Sequence, residues 1–248
     1  MLEEQTSMKD VNALKLIAES KARIVKSLKN YDTRQFRSFI ESSDDFLRSR
    51  VGSRTHLVVL YVDLVGSTHM STMLPLTDLT TIIQTFAQEM TIVVANNYGY
   101  VLKYVGDALI AYFPVESYDN FHVAGRRALW CALNMLNTVT QAINPVLEEF
   151  RLPKLHLKIG IDSGQNAIIE YASSGKKRHR DILGYPMNIT AKITAMALPN
   201  QVLIGNMTYE RIDPRLQDSL RKMGLKTFDY IDYKTGDAYV IHSFSFEK

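Results

Sequence analysis

Asp63 and Asp107 are the two acids whose placement suits chemistry. Asp63 closes an apolar, β-branched run from Leu57 to Val62 and leads into Leu64-Val65-Gly66-Ser67-Thr68, the pattern of a buried strand, a tight turn and a helix start. Asp107 follows Gly106 in a turn between two strand-like runs, Tyr100 to Val105 and Ala108 to Phe113. Neighbouring strands lie about 5 Å apart, so a strand-end acid and a hairpin-tip acid meet if their strands pair. Two carboxylates beside a glycine loop at a helix start suit a divalent cation together with a phosphate. Alone, Asp63 reads equally well as a helix cap and Asp107 as a turn residue. The pair, with the loop beside it, tips the reading towards metal.

A second group lies further along. Asn188 and Lys192 are four apart in a helical pattern that opens with Pro186, so they share a face. An amide and a cation near a helix start suit a phosphate in its transition state, although the spacing alone equally describes an exposed polar face. Lys103 stands in a strand pattern with Val101 and Val105 on its side, so it either snorkels or has a partner. Asp181, just before Leu183-Gly184-Tyr185-Pro186, is a candidate partner or a helix cap.

These residues sit in a chain of 248, with 46% hydrophobic and 22% charged residues, which predicts a packed core. A formal net charge of +3 gives no case for nucleic acid. The single cysteine, Cys131, lies in an apolar helical pattern and predicts a buried thiol in a reducing cytoplasm. No apolar run approaches the ~20 residues that span a bilayer. Residues 1–52 read as an N-terminal helical segment, broken near Tyr31-Asp32-Thr33, whose apolar stripes predict packing on the following part or on a second copy. From residue 53 to 248 the order is strand, long helix, hairpin, long helix bent by Pro145, strand, strand, helix, strand, then short helices and a terminal hairpin. Trp130 is expected in the core, and Lys176 to Arg180 as a solvated basic loop. This order predicts an α+β fold of the ferredoxin-like kind, helices covering a mainly antiparallel sheet.

The chain resembles the catalytic domain of the class III nucleotidyl cyclases. Val59 to Thr68 resembles the family's first metal motif, Lys103-Tyr104-Val105-Gly106-Asp107 its second, and Asp181-Ile182-Leu183-Gly184 with Asn188 and Lys192 the motif around its later helix. The resemblance covers about residues 55–245. It implies two divalent cations, Mg2+ or Mn2+, at Asp63, Leu64 and Asp107, and a loop from Leu64 through Val65, Gly66 and Ser67 to Thr68 holding the β- and γ-phosphates. Lys103 and Asp181 would read adenine, and Asn188 would orient the ribose. Lys192 stands where the family usually has arginine, which keeps the charge but loses the two-pronged grip on the α-phosphate. The family's C-terminal lysine has no clear match beyond Lys234. Both residue sets fall on one chain, so the resemblance implies a homodimer with shared sites. The implied reaction is ATP to 3′,5′-cyclic AMP and pyrophosphate. The rivals are a cyclic pyrimidine product (cyclic UMP or cyclic CMP), as in the family's antiviral-defence branch, and a slow nucleotide-binding regulator.

Overall fold

The computed structural model describes residues 2–30, 40–117, 120–171, 178–223, 231, 235–244; side chains are described from residue 15 in the first helix and from residue 42 in the second. The break at 31–33, Lys176, Lys177 and Lys234 lie outside these residues.

Two helices come first, α1 (Leu2–Asn30) and α2 (Ile40–Arg48). Strand β1 (Arg54–Leu64) follows, then a short helix α3 (Ser67–Met73) and the long α4 (Leu76–Asn96). The predicted hairpin is β2 (Tyr100–Val105) and β3 (Ala108–Pro114). Helix α5 (Phe121–Thr138) widens into one π turn at Val139–Ile143 and continues as α6 (Asn144–Glu149), so Pro145 falls in the first turn of a new helix, where its missing N–H costs nothing. Then come β4 (Leu157–Tyr171), β5 (His179–Leu183), α7 (Tyr185–Met196), β6 (Gln201–Gly205), α8 (Asn206–Tyr209), α9 (Pro214–Gln217), β7 (Leu220–Lys222) and β8 (Ile241–Phe244).

The eight strands form one sheet in the order β2-β3-β1-β4-β6-β8-β7, with β5 attached to the outer half of β4. Every pairing is antiparallel except β4 with β6, where α7 provides the crossover. This is the α+β architecture the sequence predicts. β1 is central and buried on both faces, which explains its unbroken apolar run. Val58, Leu60 and Val62 join the larger core with Ile82, Phe86 and Met90 of α4 and Ala128, Ala132 and Met135 of α5. Leu57 and Val59 face a second core with Leu47 of α2, Tyr112, Ile182 and Met187. The rest of α7 covers a third, around Leu203, Met207 and Tyr239.

The N-terminal helices pack on this domain. Ile24 and Leu28 of α1 enter the larger core, and Glu89 of α4, 1% exposed, accepts bonds from Ser20 Oγ at 2.7 Å, Arg23 Nε at 2.9 Å and Arg23 Nη2 at 2.8 Å.

Several expectations are corrected. Trp130 is 50% exposed, on the outer side of α5, because the buried stripe of that helix runs through Leu129, Cys131 and Ala132. Cys131 is buried as expected. The two strands expected either side of Ser163-Gly164 are one continuous β4. The segment read as a helix from Leu216 to Met223 divides into α9 and β7. The helix start expected after the Gly66 turn is α3, which begins at Ser67. Arg180 belongs to a strand and is ion-paired rather than solvated.

Candidate active site

Asp63 is the penultimate residue of β1, and the register Val62↔Leu109 brings it level with the tip of the β2–β3 hairpin. That tip is Gly106-Asp107, with Gly106 at φ +63°, a backbone state that glycine adopts freely. The two acids therefore face each other electrostatically. Burial first, and then the Asp107 charge, hold the Asp63 carboxyl above the usual carboxylate range, against the Leu64 N–H and the Lys158 charge. Among the described residues Asp107 Oδ2 is buried and has no hydrogen-bond partner. A buried carboxylate oxygen without a donor is costly, and a cation would offset that cost. Among the described residues no group of three or more His, Cys, Asp or Glu surrounds a possible ion site. An ion here would take its ligands from the two aspartates, a backbone carbonyl such as that of Leu64, and its substrate, a set suited to Mg2+.

The chain then turns through Gly66, whose φ of +74° lets it reverse into α3. No side chain caps that first turn, so the N–H groups of Ser67 and Thr68 have no partner from a cap. Lys158 is a residue that the sequence reading missed. It lies on β4 directly opposite Asp63, on the same face, and its charge is felt by Asp63. The signal was present in the strand alternation of 155–161, but only the β1–β4 register shows what it faces.

Lys103 and Asp181 are brought together, Nζ to Oδ2 at 2.5 Å, with side-chain exposures of 34% and 15%. Asp181 Oδ1 also accepts the Ile182 N–H at 2.9 Å. Lys103 reaches this partner because a bulge between Val101 and Lys103 shifts the alternation; Val101 is buried while Val105 is 55% exposed. Tyr61 was also missed. It lies two residues before Asp63 on the same face, and burial, with the Asp181 charge, pushes its phenol up to about 12. Asn188 and Lys192 project from the exposed side of α7, whose other side buries Met187, Ile189, Thr190 and Ile193. They point away from the chain's own sheet. The site residues are thus arranged as three sets: the acids with the turn and Lys158, the Lys103–Asp181 pair with Tyr61, and the open face of α7.

Comparisons with known proteins bear on the family and the fold. A cytidylate cyclase of Escherichia coli is 21% identical over 206 residues, covering 80% of this chain and 42% of its own length. The alpha subunit of a photoactivated adenylate cyclase of Euglena gracilis is 27% identical over 167 residues, 66% of this chain and 16% of that protein. The chain thus spans less than half of either relative. Among solved structures, the adenylyl cyclase CyaB from P. aeruginosa superposes with a TM-score of 0.64 at 18% identity, covering 79% of this chain and 96% of that one. The guanylate cyclase domain of RhGC from Catenaria anguillulae, solved with GTP, superposes with a TM-score of 0.61 at 15% identity, covering 79% and 100%. Residues 51–241 match the family model of the adenylate and guanylate cyclase catalytic domain, and the chain belongs to that family.

Proposed function

We propose that the chain cyclises a nucleoside triphosphate to its 3′,5′-cyclic nucleotide and pyrophosphate, in the cytoplasm, at sites shared by two copies. The carrying observation is the buried, unpartnered Asp107 Oδ2 beside an Asp63 that is itself pushed towards protonation. Two Mg2+ or Mn2+ ions, held by Asp63, Asp107 and the Leu64 carbonyl, would acidify the 3′-hydroxyl and offset the charge of the leaving pyrophosphate. The N–H groups of Gly66, Ser67 and Thr68, with Lys158, hold the β- and γ-phosphates; that of Val65 donates to the His156 carbonyl at 2.9 Å. Asn188 orients the ribose, and Lys192 meets charge that grows on the α-phosphate. These last two face outward on α7, so they serve the metal set of a second copy. Residues 1–52 form a packing segment and residues 53–248 the catalytic domain.

Lys103 and Asp181 read the base. A lysine donates to a ring nitrogen and an aspartate accepts from an exocyclic amine, which matches adenine and points to ATP. Cytosine presents the same acceptor and donor on a single ring. A pyrimidine product is the second reading, favoured by Tyr61, which fills space beside Asp181, and by relatives named cytidylate cyclase.

Incubation with ATP, GTP, CTP and UTP in Mg2+ or Mn2+, with chromatography of the products, decides the base. No cyclic product from any of the four, with triphosphate binding retained, would replace the enzyme by a nucleotide-binding regulator. Mixing Asp107→Ala with Asn188→Ala protein restores turnover if the sites are shared. No rescue after demonstrated subunit exchange rejects the sharing.

A further inference from the structure

Lys103 lies on β2 and Asp181 on β5, and these strands are not neighbours: β3, β1 and β4 stand between them. Their 2.5 Å contact depends on how far apart two remote parts of the sheet are held. Among the described residues β5 pairs with β4 alone, so sheet pairing fixes it on one side. Helix α2 touches both regions. Towards β2 and β3, the Phe46 ring lies 5.2 Å from that of Tyr100 and 5.6 Å from that of Tyr112, and Ser43 Oγ is 2.9 Å from the Tyr112 hydroxyl. Towards β5, Asp44 accepts two bonds from Arg180 Nη1, at 2.7 and 2.9 Å. Leu47 is buried between these contacts.

Arg180 immediately precedes Asp181. Its Nη2 reaches Glu170 Oε2 at 2.8 Å, across the β4–β5 ladder, and its side chain is only 10% exposed. Its Nε is buried without a partner, so the guanidinium is placed to span two carboxylates rather than to satisfy all its donors. Arg48 on Asp44 at 3.0 Å and Arg178 on Glu170 at 2.9 Å add a second guanidinium to each carboxylate.

We propose that α2 is the spacer that sets the separation of the base-reading pair, with Arg180 a positioning residue that holds Asp181 through Asp44. The proposal rests on Lys103 and Asp181 reading the base. Displacing α2 then weakens base recognition before it touches the phosphate chemistry at Asp63 and Asp107.

The test is steady-state kinetics with all four triphosphates on Asp44→Asn, Arg180→Gln, their double variant and Phe46→Ala, alongside calorimetric binding of the same triphosphates and thermal melts. For the triphosphate the parent prefers, KM rises about tenfold in Asp44→Asn and in Arg180→Gln, each losing one charge-assisted contact, and likewise in Phe46→Ala, which loses the packing of α2 on Tyr100 and Tyr112. The kcat stays within about twofold, because the transition-state contacts are intact. Preference over the other bases falls, and Asp44→Asn and Arg180→Gln are non-additive. Parental KM and preference in all three single variants overturn the proposal. So does a parallel fall of kcat, KM affinity and melting temperature, the signature of general loosening. Asp181→Ala separates the two layers. If it keeps the parental base preference, the base-reading assignment fails and takes the spacer with it. If it alone loses preference, the spacer fails by itself.

Discussion

The chain takes carboxylates out of water in two places and treats them in opposite ways. Glu89 on α4 is 1% exposed and has three donors from α1, all within the chain. Asp107 keeps a buried oxygen with no donor, and its nearest ionisable influence on Asp63 is repulsive. The first arrangement is complete and holds the N-terminal helix down. The second is incomplete among the described residues. Glu89 is buried and Asp107 half-buried with one oxygen shut from water, and the partner inventory distinguishes them.

The largest expected effect comes from removing the incomplete set's charge. Asp107→Asn should slow cyclisation by ~10³-fold or more, as expected for loss of charge stabilisation in a dry site. Its melting temperature should be unchanged or higher, since repulsion with Asp63 is relieved. Mg2+ or Mn2+ should raise the melting temperature of the parent and not of this variant. A metal-induced shift that survives Asp107→Asn would erase the contrast.

The complete set should behave the other way. Arg23→Met leaves Glu89 buried without its guanidinium, keeping the Ser20 hydroxyl, at a cost of about 3 kcal/mol, the lower end for such pairs because Arg23 is partly exposed. The double variant Arg23→Met with Glu89→Met should recover most of that loss in denaturant melts, with turnover kept below the melting temperature. An Arg23→Met protein as stable as the parent would show that α1 is not held by this pair.

A smaller effect concerns a third carboxylate, between the two in character. Asp162 is fully buried under α7, bonded by the Tyr239 hydroxyl and by Thr208 Oγ1 at 3.4 Å, and burial pushes it up to about 7. Its folded value lies above its unfolded one, so its contribution to stability is full at low pH and is lost as pH rises from about 4 to 7. His242, held down to about 4 by burial, acts with the opposite sign over nearly the same range. The informative quantity is thus the difference between Asp162→Asn and its parent. The variant should gain on the parent by one to two kcal/mol, an order-of-magnitude figure, between pH 5 and pH 7. Parallel melting curves across that range would mean that Asp162 does not titrate there.

Much of the catalytic face was legible in the sequence, because strand ends and hairpin tips announce themselves locally. Asp63, Asp107 and the turn between Leu64 and Thr68 needed only period, glycine and β-branching. The Lys103–Asp181 pair was proposed for other reasons, since the bulge that aims Lys103 has no residue signature. Lys158, Tyr61 and Arg180 were not legible. What matters about each is the group across a ladder or on another element: Asp63 for Lys158, Asp181 for Tyr61, Asp44 for Arg180. Trp130 misled because its apolar character outweighed its place on the helix wheel, one position off the buried stripe.

The long β1–β4 ladder has a kinetic side. It joins residues roughly a hundred positions apart, from Arg54↔Ala167 to Leu64↔Leu157. Contacts of such sequence separation are slow to form, since a long loop must close before any reward is gained. At a synthesis rate of ~5–20 residues per second, β1 emerges several seconds before its central partner. During that interval it pairs only with β3, and one edge of this largely apolar strand stays open. The acid at its end comes level with the hairpin early, but the lysine that faces it arrives last. Assembly of the two acids thus precedes the arrival of Lys158, and a nascent chain stalled before residue 157 would expose a strand edge free to pair with a neighbour.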